Sequence, residues 1–379
     1  MPSYEIAVIP GDGIGPEVIR EALRALDALA PRFGFTARTK SYPFGAEHYL
    51  KTKEILPPGA FDDLGAAQAL LLGAVGDPRV PHGPLEQGLL LAIRFRFDQY
   101  LNIRPARTWP KAPIPVNIPE EAEIDILVVR ENTEDFYMNL GGVVQAGKAR
   151  ADIPIERGLY KGAAKVEVSL DPPAEGAFTL GLLTSPATLR VAHKAFALAE
   201  GRGERVLHCA TKSNALPHLY GFWDRTVAEA AVSHPEVKLR PINVDNLAYQ
   251  LSRSPQNYGL ILCPNLFGDI VSDLAAGVTG GLGLAASANI GEGLSMFEPV
   301  HGSAPDIAGT GKANPLAAIL SVSLMLGHLG EKDAALALEE AVGLYLNKSP
   351  RGLLPYELNG GAACSKVGDL VVQAVEGRL

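Results

Sequence analysis

Short apolar runs alternate along this chain with longer segments in which apolar residues recur at helical spacing. The strand-like runs are residues 4–10, 67–75, 124–130 and 258–265, and the clearest helical segment is residues 16–30. Strands that alternate with helices are typical of a mostly parallel sheet covered by helices. The pattern therefore predicts an α/β fold, in which functional residues gather where the carboxyl ends of strands meet loops.

Two segments depart from this alternation. Residues 141–185 combine glycine, proline and charged residues with short β-like pieces, and we interpret them as an extended arm. Residues 316–326 are the most apolar stretch, but a bilayer takes about 20 such residues, so we expect no membrane partner. We expect a buried helix there instead, with Asn314 as its N-cap and Pro315 as its first helical residue.

The composition favours a globular protein with a sizeable core. The chain has 379 residues, of which 47% are hydrophobic, and a net charge of -8 with scattered basic residues, so no nucleic acid is expected as a partner. The cysteines Cys209, Cys263 and Cys364 are far apart and form no CxxC motif. That usage suits a reducing compartment, and no signal-peptide pattern precedes the first apolar run, so the expected location is cytoplasmic.

Two aspartates stand four residues apart in the glycine-rich apolar block at 265–291. In a helix, Asp269 and Asp273 lie on one face, about a turn apart. Two carboxylates held that close repel each other unless a cation lies between them, and oxygen ligands favour Mg²⁺ or Mn²⁺. An acidic pair is often part of a solvated helix face. Because apolar, glycine-rich neighbours are a poor setting for such a face, the pattern favours a metal site.

Three arginines and two possible proton carriers lie close to apolar runs. Arg94, Arg104 and Arg130 stand where a guanidinium can hold a carboxylate through two parallel hydrogen bonds. Tyr137 and Lys212 are possible proton carriers, although a single tyrosine or lysine carries little signal.

Two loops have a composition suited to ligand binding. Residues 11–18 contain G-x-G-x-G, not the G-x-G-x-x-G of a dinucleotide loop, and no acidic residue follows about 20 positions on. A tight turn that opens a helix at Pro16 is therefore favoured over a Rossmann site. Residues 296–315 are rich in small residues, which let a ligand approach the backbone closely. The same segment carries Glu298. An ordinary turn-rich connection has the same composition.

Six motifs together resemble the β-decarboxylating dehydrogenases, a family that includes isopropylmalate, isocitrate, homoisocitrate and tartrate or D-malate dehydrogenases. In chain order they are IPGDGIGPEV, FDQYLNIRP, RENTEDFY, NVDNL, NLFGDIVSDL and FEPVHGSAPDIAGTGKANP. They run in the family's order from residue 9 to residue 315. The sequence departs from the family at Asp135 and Phe136, where relatives often carry a glycine and a small or acidic residue, and in its longer arm.

The resemblance implies an isopropylmalate/isocitrate dehydrogenase-like two-domain fold, non-Rossmann, with a mostly parallel sheet, helices and a β-arm. A large cofactor-binding domain is expected from residues 1–101 and 279–379, and a small domain from residues 102–278. The arm at about 141–185 is expected to clasp a second copy. The resemblance thus implies a homodimer with shared active sites.

Matching the motifs residue by residue gives the expected site. Tyr137 is the expected proton donor, and Lys212 is the expected base in the partner's site. The expected substrate-binding residues are Leu90, Leu91, Arg94, Arg104 and Arg130. The expected metal ligands are Asp269, Asp273 and, from the partner, Asp245. The expected cofactor-binding residues are Ile14, Glu298, His301, Gly302, Ser303, Ala304, Asp306, Ile307 and Asn314.

The implied reaction is the oxidative decarboxylation of a 2-hydroxy diacid to a 2-oxo acid and CO₂, with NAD and Mg²⁺ or Mn²⁺ as cofactors. Leu89, Leu90 and Leu91 form an apolar wall that cannot offset the desolvation of a third carboxylate, which disfavours isocitrate and homoisocitrate. Asp306 matches the family position that faces the adenosine ribose. A carboxylate there would accept hydrogen bonds from the ribose and repel a 2′-phosphate, so the resemblance implies NAD rather than NADP.

The choice among the smaller diacids depends on short motifs. FDQYLNIRP, RENTE and TKSN resemble the tartrate/D-malate group more than the isopropylmalate enzymes. The predicted substrate is therefore D-malate or tartrate, with 3-isopropylmalate as the alternative. A non-catalytic regulatory subunit is a further alternative, disfavoured because Tyr137, Lys212 and the three aspartates are all present.

Overall fold

The computed structural model describes residues 1–81, 83–119 and 121–379. The strands in this part of the chain are β1 (Ser3–Gly11), β2 (Thr36–Ser41), β3 (Ala69–Ala74), β4 (Leu101–Arg107), β5 (Asp125–Glu131), β6 (Asp135–Val144), β7 (Lys148–Arg157), β8 (Tyr160–Ser169), β9 (Gly176–Leu182), β10 (Val206–Thr211), β11 (Lys238–Asn243), β12 (Leu260–Cys263), β13 (Ala286–Ile290) and β14 (Ser295–Pro299). The α-helices are α1 (Gly15–Phe33), α2 (Ala46–Thr52), α3 (Ala60–Gly65), α4 (Ala92–Arg96), α5 (Ser185–Gly201), α6 (Pro217–Ala231), α7 (Val244–Leu251), α8 (Asn265–Thr279), α9 (Leu316–His328), α10 (Lys332–Lys348) and α11 (Cys364–Val375). A π-helical segment, Glu86–Leu91, leads directly into α4.

One ten-stranded sheet runs through the molecule in the order β11-β10-β12-β5-β4-β13-β14-β3-β1-β2. Its two flanks are parallel, and the three central pairings, β5–β4, β4–β13 and β13–β14, are antiparallel. The flanking strand β3 is buried along its whole length, as expected for a parallel strand covered on both faces. The predicted α/β fold with a mostly parallel sheet is confirmed.

Helices form where the apolar spacing predicts them. In α1 the buried positions include Val18, Ala22, Leu26 and Leu29, which follow the three- and four-residue spacing of one helix face. The apolar segment at 316–326 is also helical, and no helix in the described ranges is long and apolar enough to cross a membrane.

The predicted start of α9 is wrong by one residue. The helix begins at Leu316, so Pro315 precedes it instead of being its first residue. Asn314 still helps to satisfy the helix start, because its Oδ1 accepts a hydrogen bond from the backbone N–H of Leu316 at 3.2 Å.

Two large hydrophobic clusters pack against the sheet. One is built mainly from α1, α9, α10 and α11, and the other from β5, β10, β12, α5 and α6. Between them the central strands carry buried amides: Asn102 Nδ2 donates to Ser287 Oγ at 2.8 Å and to Asn289 Oδ1 at 3.0 Å. The domain limits at residues 101/102 and 278/279 stay a prediction.

The segment 141–185 is extended, as predicted. It contains the last residues of β6 and the strands β7, β8 and β9. Strand β6 pairs with β9, and β7 and β8 form a hairpin. The tip of this hairpin packs on its own chain: Arg157 Nε donates to the Thr133 carbonyl at 2.8 Å, and Tyr160 OH donates to Glu134 Oε1 at 2.7 Å. Clasping of a second copy stays a prediction.

Candidate active site

A cleft of about 300 Å³ opens where β3 and β14 end, beside α4 and α8. The predicted residues that line it are Leu90, Leu91, Arg94, Arg104, Arg130, Tyr137, Asp269, Asp273, Glu298, His301 and Gly302. Sequence reasoning missed Leu72, Gly73, Ala74, Val75, Glu86, Pro299 and Val300. Several of these end or follow parallel strands, so the rule that sites form at the carboxyl ends of strands was the signal available for them.

The three predicted arginines are all buried in this cleft. Arg94 Nη2 pairs with Glu298 Oε1 at 2.9 Å, although the two residues are 204 positions apart in the sequence. Arg130 is 1% exposed, and burial, followed by the neighbouring charge of Arg104, lowers its pKa to about 10. Three guanidiniums brought together at low exposure favour an anionic ligand with more than one carboxylate.

Asp269 is the centre of the charged network. Its Oδ1 lies 2.5 Å from Arg130 Nη1 and 3.3 Å from Arg104 Nη2, and its Oδ2 accepts a hydrogen bond from Tyr137 OH at 2.7 Å. Burial by itself raises the pKa of this carboxyl, but the two guanidiniums and the tyrosine together lower it. Burial and the Asp269 charge raise the pKa of Tyr137, so the phenol keeps its proton.

Asp269 and Asp273 lie on the same side of α8, and both line the cleft. Asp273 Oδ1 is 3.4 Å from Arg104 Nη1, and its side chain is half exposed. The expected third ligand, Asp245, lies outside the cleft with a side chain 66% exposed, and its Oδ1 accepts a hydrogen bond from Lys212 Nζ at 2.7 Å. Within residues 1–81, 83–119 and 121–379 of one chain, no three His, Cys, Asp or Glu side chains are grouped to hold a metal.

The turn between β5 and β6 leads into the first residues of β6, which present Tyr137 to the cleft. Glu131 folds back over this turn, so that Oε1 accepts from the backbone N–H of Thr133 at 2.9 Å and Oε2 from that of Glu134 at 2.8 Å. Burial and the nearby Glu134 raise the pKa of Glu131 to about 7. The carboxylate of Glu131 thus stabilises the turn by accepting hydrogen bonds from two of its backbone N–H groups.

The glycine-rich turn after β1 supports the loop at 296–315. Gly13 has φ +57°, and a Cβ there would lie 1.9 Å from the Ser303 carbonyl oxygen, so only glycine fits. The next residue, Ile14, donates its N–H to that oxygen at 2.9 Å. Ser303 is buried beneath the turn, whereas Asp306 is exposed, and in the described part of the chain neither they nor Ala304 line the cleft.

A second cavity, of about 400 Å³, adjoins the cleft. The predicted residues Ile14, His301, Ile307 and Asn314 line it, as does Lys312 of the same loop. The sequence did not indicate the other lining residues, Leu282, Gly283, Tyr356 and Glu357. His301 lines both cavities. Its Nε2 is buried and has no hydrogen-bond partner among the residues that the structure describes, and burial lowers the pKa of the ring. The two cavities therefore meet at a neutral imidazole with one free polar atom.

Comparison with known proteins bears on the family and on the substrate. Residues 5–371 match the family model described as isocitrate/isopropylmalate dehydrogenase. A 3-isopropylmalate dehydrogenase of Thermobifida fusca is 43% identical over 377 residues, which cover 98% of each chain. A 3-isopropylmalate dehydrogenase of Streptomyces coelicolor is 41% identical over 378 residues, 99% of each chain.

Solved structures resemble the fold along nearly its whole length. Isocitrate dehydrogenase from Methylococcus capsulatus superposes with a TM-score of 0.83 at 28% identity, covering 99% of this chain and 100% of that one. The TT0538 protein from Thermus thermophilus superposes with a TM-score of 0.81 at 31% identity, covering 98% of this chain and 68% of that one.

These relatives overturn the predicted D-malate/tartrate type. Relatives at 41–44% identity over 90–99% of this chain are named 3-isopropylmalate dehydrogenases. The prediction was wrong because it weighed three short motifs, whereas the relatives match over nearly the whole chain. The chain belongs to the isocitrate/isopropylmalate dehydrogenase family and is a β-decarboxylating dehydrogenase.

Proposed function

We propose that this enzyme catalyses the oxidative decarboxylation of 3-isopropylmalate with NAD and Mg²⁺ or Mn²⁺. One observation carries the proposal: the cleft that holds three buried arginines is also lined by Leu90 and Leu91. The arginines suit the two carboxylates of a 2-hydroxy diacid, and the leucines suit a branched alkyl group. The relatives named 3-isopropylmalate dehydrogenase support this choice among the diacids.

The donor set of α8 fits a hard divalent cation. Asp269 and Asp273 offer carboxylate oxygens on one helix face, toward the same cleft as the arginines. We assign the third ligand to Asp245 of a second copy, because Asp245 of the same chain lies outside the cleft and is exposed. When bound, such a cation stabilises negative charge that develops on the oxygen at C2.

The second cavity fits the elongated shape of a dinucleotide. A ligand that enters it beside Ile14 and Ile307 reaches the cleft past His301, whose unpartnered Nε2 is a ready hydrogen-bonding group. When bound, a nicotinamide cofactor accepts the two electrons removed from C2. Asp306 favours NAD by repelling a 2′-phosphate, and Lys312, which lines the cavity, is the residue that most opposes this preference.

The proton transfers are assigned to Lys212 and Tyr137. Lys212 is the proposed base for the C2 hydroxyl, and its Nζ is held by Asp245 at 2.7 Å. Tyr137 is the proposed donor to C3 after CO₂ departs. Its raised pKa keeps the phenol protonated, and the bond to Asp269 fixes the hydroxyl in the cleft.

The separation of Lys212 from the cleft supports a homodimer with shared sites. Neither Lys212 nor Asp245 lines the cavity that contains Tyr137 and Asp269 of the same chain. Mixing Asp269→Asn chains with Lys212→Met chains tests this arrangement. Each variant alone should be inactive, and random mixing should restore about a quarter of wild-type activity, because half the dimers then hold one complete site. Mixed chains that stay inactive would contradict shared sites.

Purified protein tests the substrate and cofactor together. Steady-state rates should be measured with Mn²⁺ and either NAD or NADP, for 3-isopropylmalate, D-malate, tartrate and isocitrate. We expect the highest kcat/KM for 3-isopropylmalate with NAD. A higher value for D-malate or isocitrate would refute the substrate, and a value for NADP at or above that for NAD would refute the cofactor.

A further inference from the structure

Asp135 carries a side chain in a backbone conformation that favours glycine. Its φ is +63°, in the left-handed region, which aspartate tolerates better than most residues. The side chain is 0% exposed. A buried carboxylate in such a conformation needs specific partners to offset its desolvation.

The Asp135 carboxylate joins two helices. Its Oδ2 accepts a hydrogen bond from the backbone N–H of Leu266 at 2.9 Å, in the first turn of α8. Its Oδ1 accepts one from the hydroxyl of Tyr220, a fully buried residue of α6, at 3.2 Å. The residue that precedes α8, Pro264, makes no side-chain cap. Asp135 therefore provides the acceptor that a helix amino terminus needs.

The same strand contacts α8 at a second point, one turn further along. Tyr137, two residues after Asp135, donates its hydroxyl to Asp269. Strand β6 thus contacts α8 at the backbone of Leu266 and at the side chain of Asp269. The turn before β6 adds a third contact, in which Asn265 Nδ2 donates to the Glu134 carbonyl at 3.1 Å. Among the described residues, loss of the Asp135 bond leaves the bond to Asp269 itself as the hydrogen bond between β6 side chains and α8.

We infer that Asp135 is a positioning residue that holds α8, and with it the carboxylates of Asp269 and Asp273, in register with Tyr137. The inference rests on the proposed metal-binding role of those two aspartates. Groups that orient metal ligands without touching the metal commonly change metal affinity by 10- to 100-fold when removed. The effect of Asp135 should therefore be visible in metal binding more than in the chemical step.

The test is Asp135→Gly, which removes the carboxylate and leaves a residue that adopts φ +63° without strain. Mn²⁺ binding is followed by electron paramagnetic resonance, and the KM for Mn²⁺ and the kcat at saturating Mn²⁺ are measured alongside. We expect the Kd for Mn²⁺ to rise about tenfold while kcat at saturation stays within about threefold of wild type. Asp135→Asn retains an acceptor for Leu266 and should bind Mn²⁺ nearly as the wild type does.

A matched pair of tyrosine variants separates positioning from general stability. Tyr220→Phe removes the second partner of Asp135, and Tyr345→Phe removes an equally buried hydroxyl, which donates to the Leu353 carbonyl at 2.7 Å in the other hydrophobic cluster. We expect the Mn²⁺ Kd to rise about two- to threefold in Tyr220→Phe only.

An unchanged Kd in folded Asp135→Gly, or an equal rise in Tyr345→Phe, would overturn the inference. If Asp135→Gly does not fold, Tyr220→Phe decides, and a wild-type Kd in that variant overturns it. A wild-type protein that binds no Mn²⁺ would instead overturn the proposed metal site, and the inference with it.

Discussion

Replacing Leu90 by alanine tests whether the apolar wall of the cleft selects the alkyl group of the substrate. Leu90 and Leu91 are half-buried and line the cleft, with Val75 close by in the same lining. Leu89 is fully buried and does not line it. D-Malate lacks the three carbons of the isopropyl group. Comparing it with 3-isopropylmalate therefore removes the same apolar contact from the side of the substrate that Leu90→Ala removes from the side of the protein.

The expected magnitude follows from the size of that group. Burying one CH₂ contributes about 0.8 kcal/mol, and partial enclosure of three carbons contributes roughly 2 kcal/mol. In transition-state binding this is about a 30-fold preference in kcat/KM for 3-isopropylmalate over D-malate. Because Leu90 shares the contact with Leu91 and Val75, its loss should remove about 1 kcal/mol, or about fivefold of the preference.

The assay is the ratio of kcat/KM for the two substrates in wild type, Leu90→Ala, Leu91→Ala and Leu89→Ala. The last variant is the matched control, because it creates a cavity in the core and should lower stability by about 2–5 kcal/mol without changing the ratio. A wild-type ratio near one would refute the reasoning. So would a ratio that Leu90→Ala and Leu91→Ala leave unchanged, or one that Leu89→Ala lowers equally.

Three further predictions concern charge and protons. Asp269→Asn removes one negative charge from between two arginines, so the variant should lose most of its activity and metal affinity. Its circular dichroism spectrum should show that it remains folded. Wild-type activity that survives exhaustive chelation would contradict the metal role. Tyr137→Phe should lower kcat for overall oxidative decarboxylation by about 10²- to 10⁴-fold, whereas an unchanged kcat would exclude it as the proton donor. The pKa of Glu131 is about 7 in the folded state and an ordinary 4.5 in the unfolded state. Between these pH values the folded state therefore binds more protons than the unfolded state. The free energy of unfolding should therefore fall as pH rises through that window, and Glu131→Gln should flatten the slope in urea unfolding series; an unaltered slope would count against the assignment.

Much of the fold was readable from local pattern. The apolar runs at 4–10, 67–75, 124–130 and 258–265 became β1, β3, β5 and β12. Each run is short and ends at glycine, proline or polar residues, which favours a buried strand over a helix. The four-residue spacing of the two aspartates on α8 was equally predictable, because helix geometry alone places such residues on one face.

The substrate side group was not readable from short motifs. The apolar wall was visible in the sequence at Leu90 and Leu91, but the same wall accepts a hydrogen atom or an isopropyl group. Relatives aligned over the full length, not the three motifs, corrected the prediction. A pocket's selectivity depends on its volume and on every residue around it, including Val75 and Val300 from separate loops.

The sequence by itself determined several of the strands and helices, the family resemblance and the residue types of the candidate site. Only the tertiary structure decided which of them meet: Arg94 with Glu298, the two cavities at His301, and Asp135 with the start of α8. It also separated Lys212 and Asp245 from the cleft of their own chain. The physical reason is that periodicity records the geometry of a single helix or strand, whereas contacts across hundreds of residues depend on how all the buried faces pack at once.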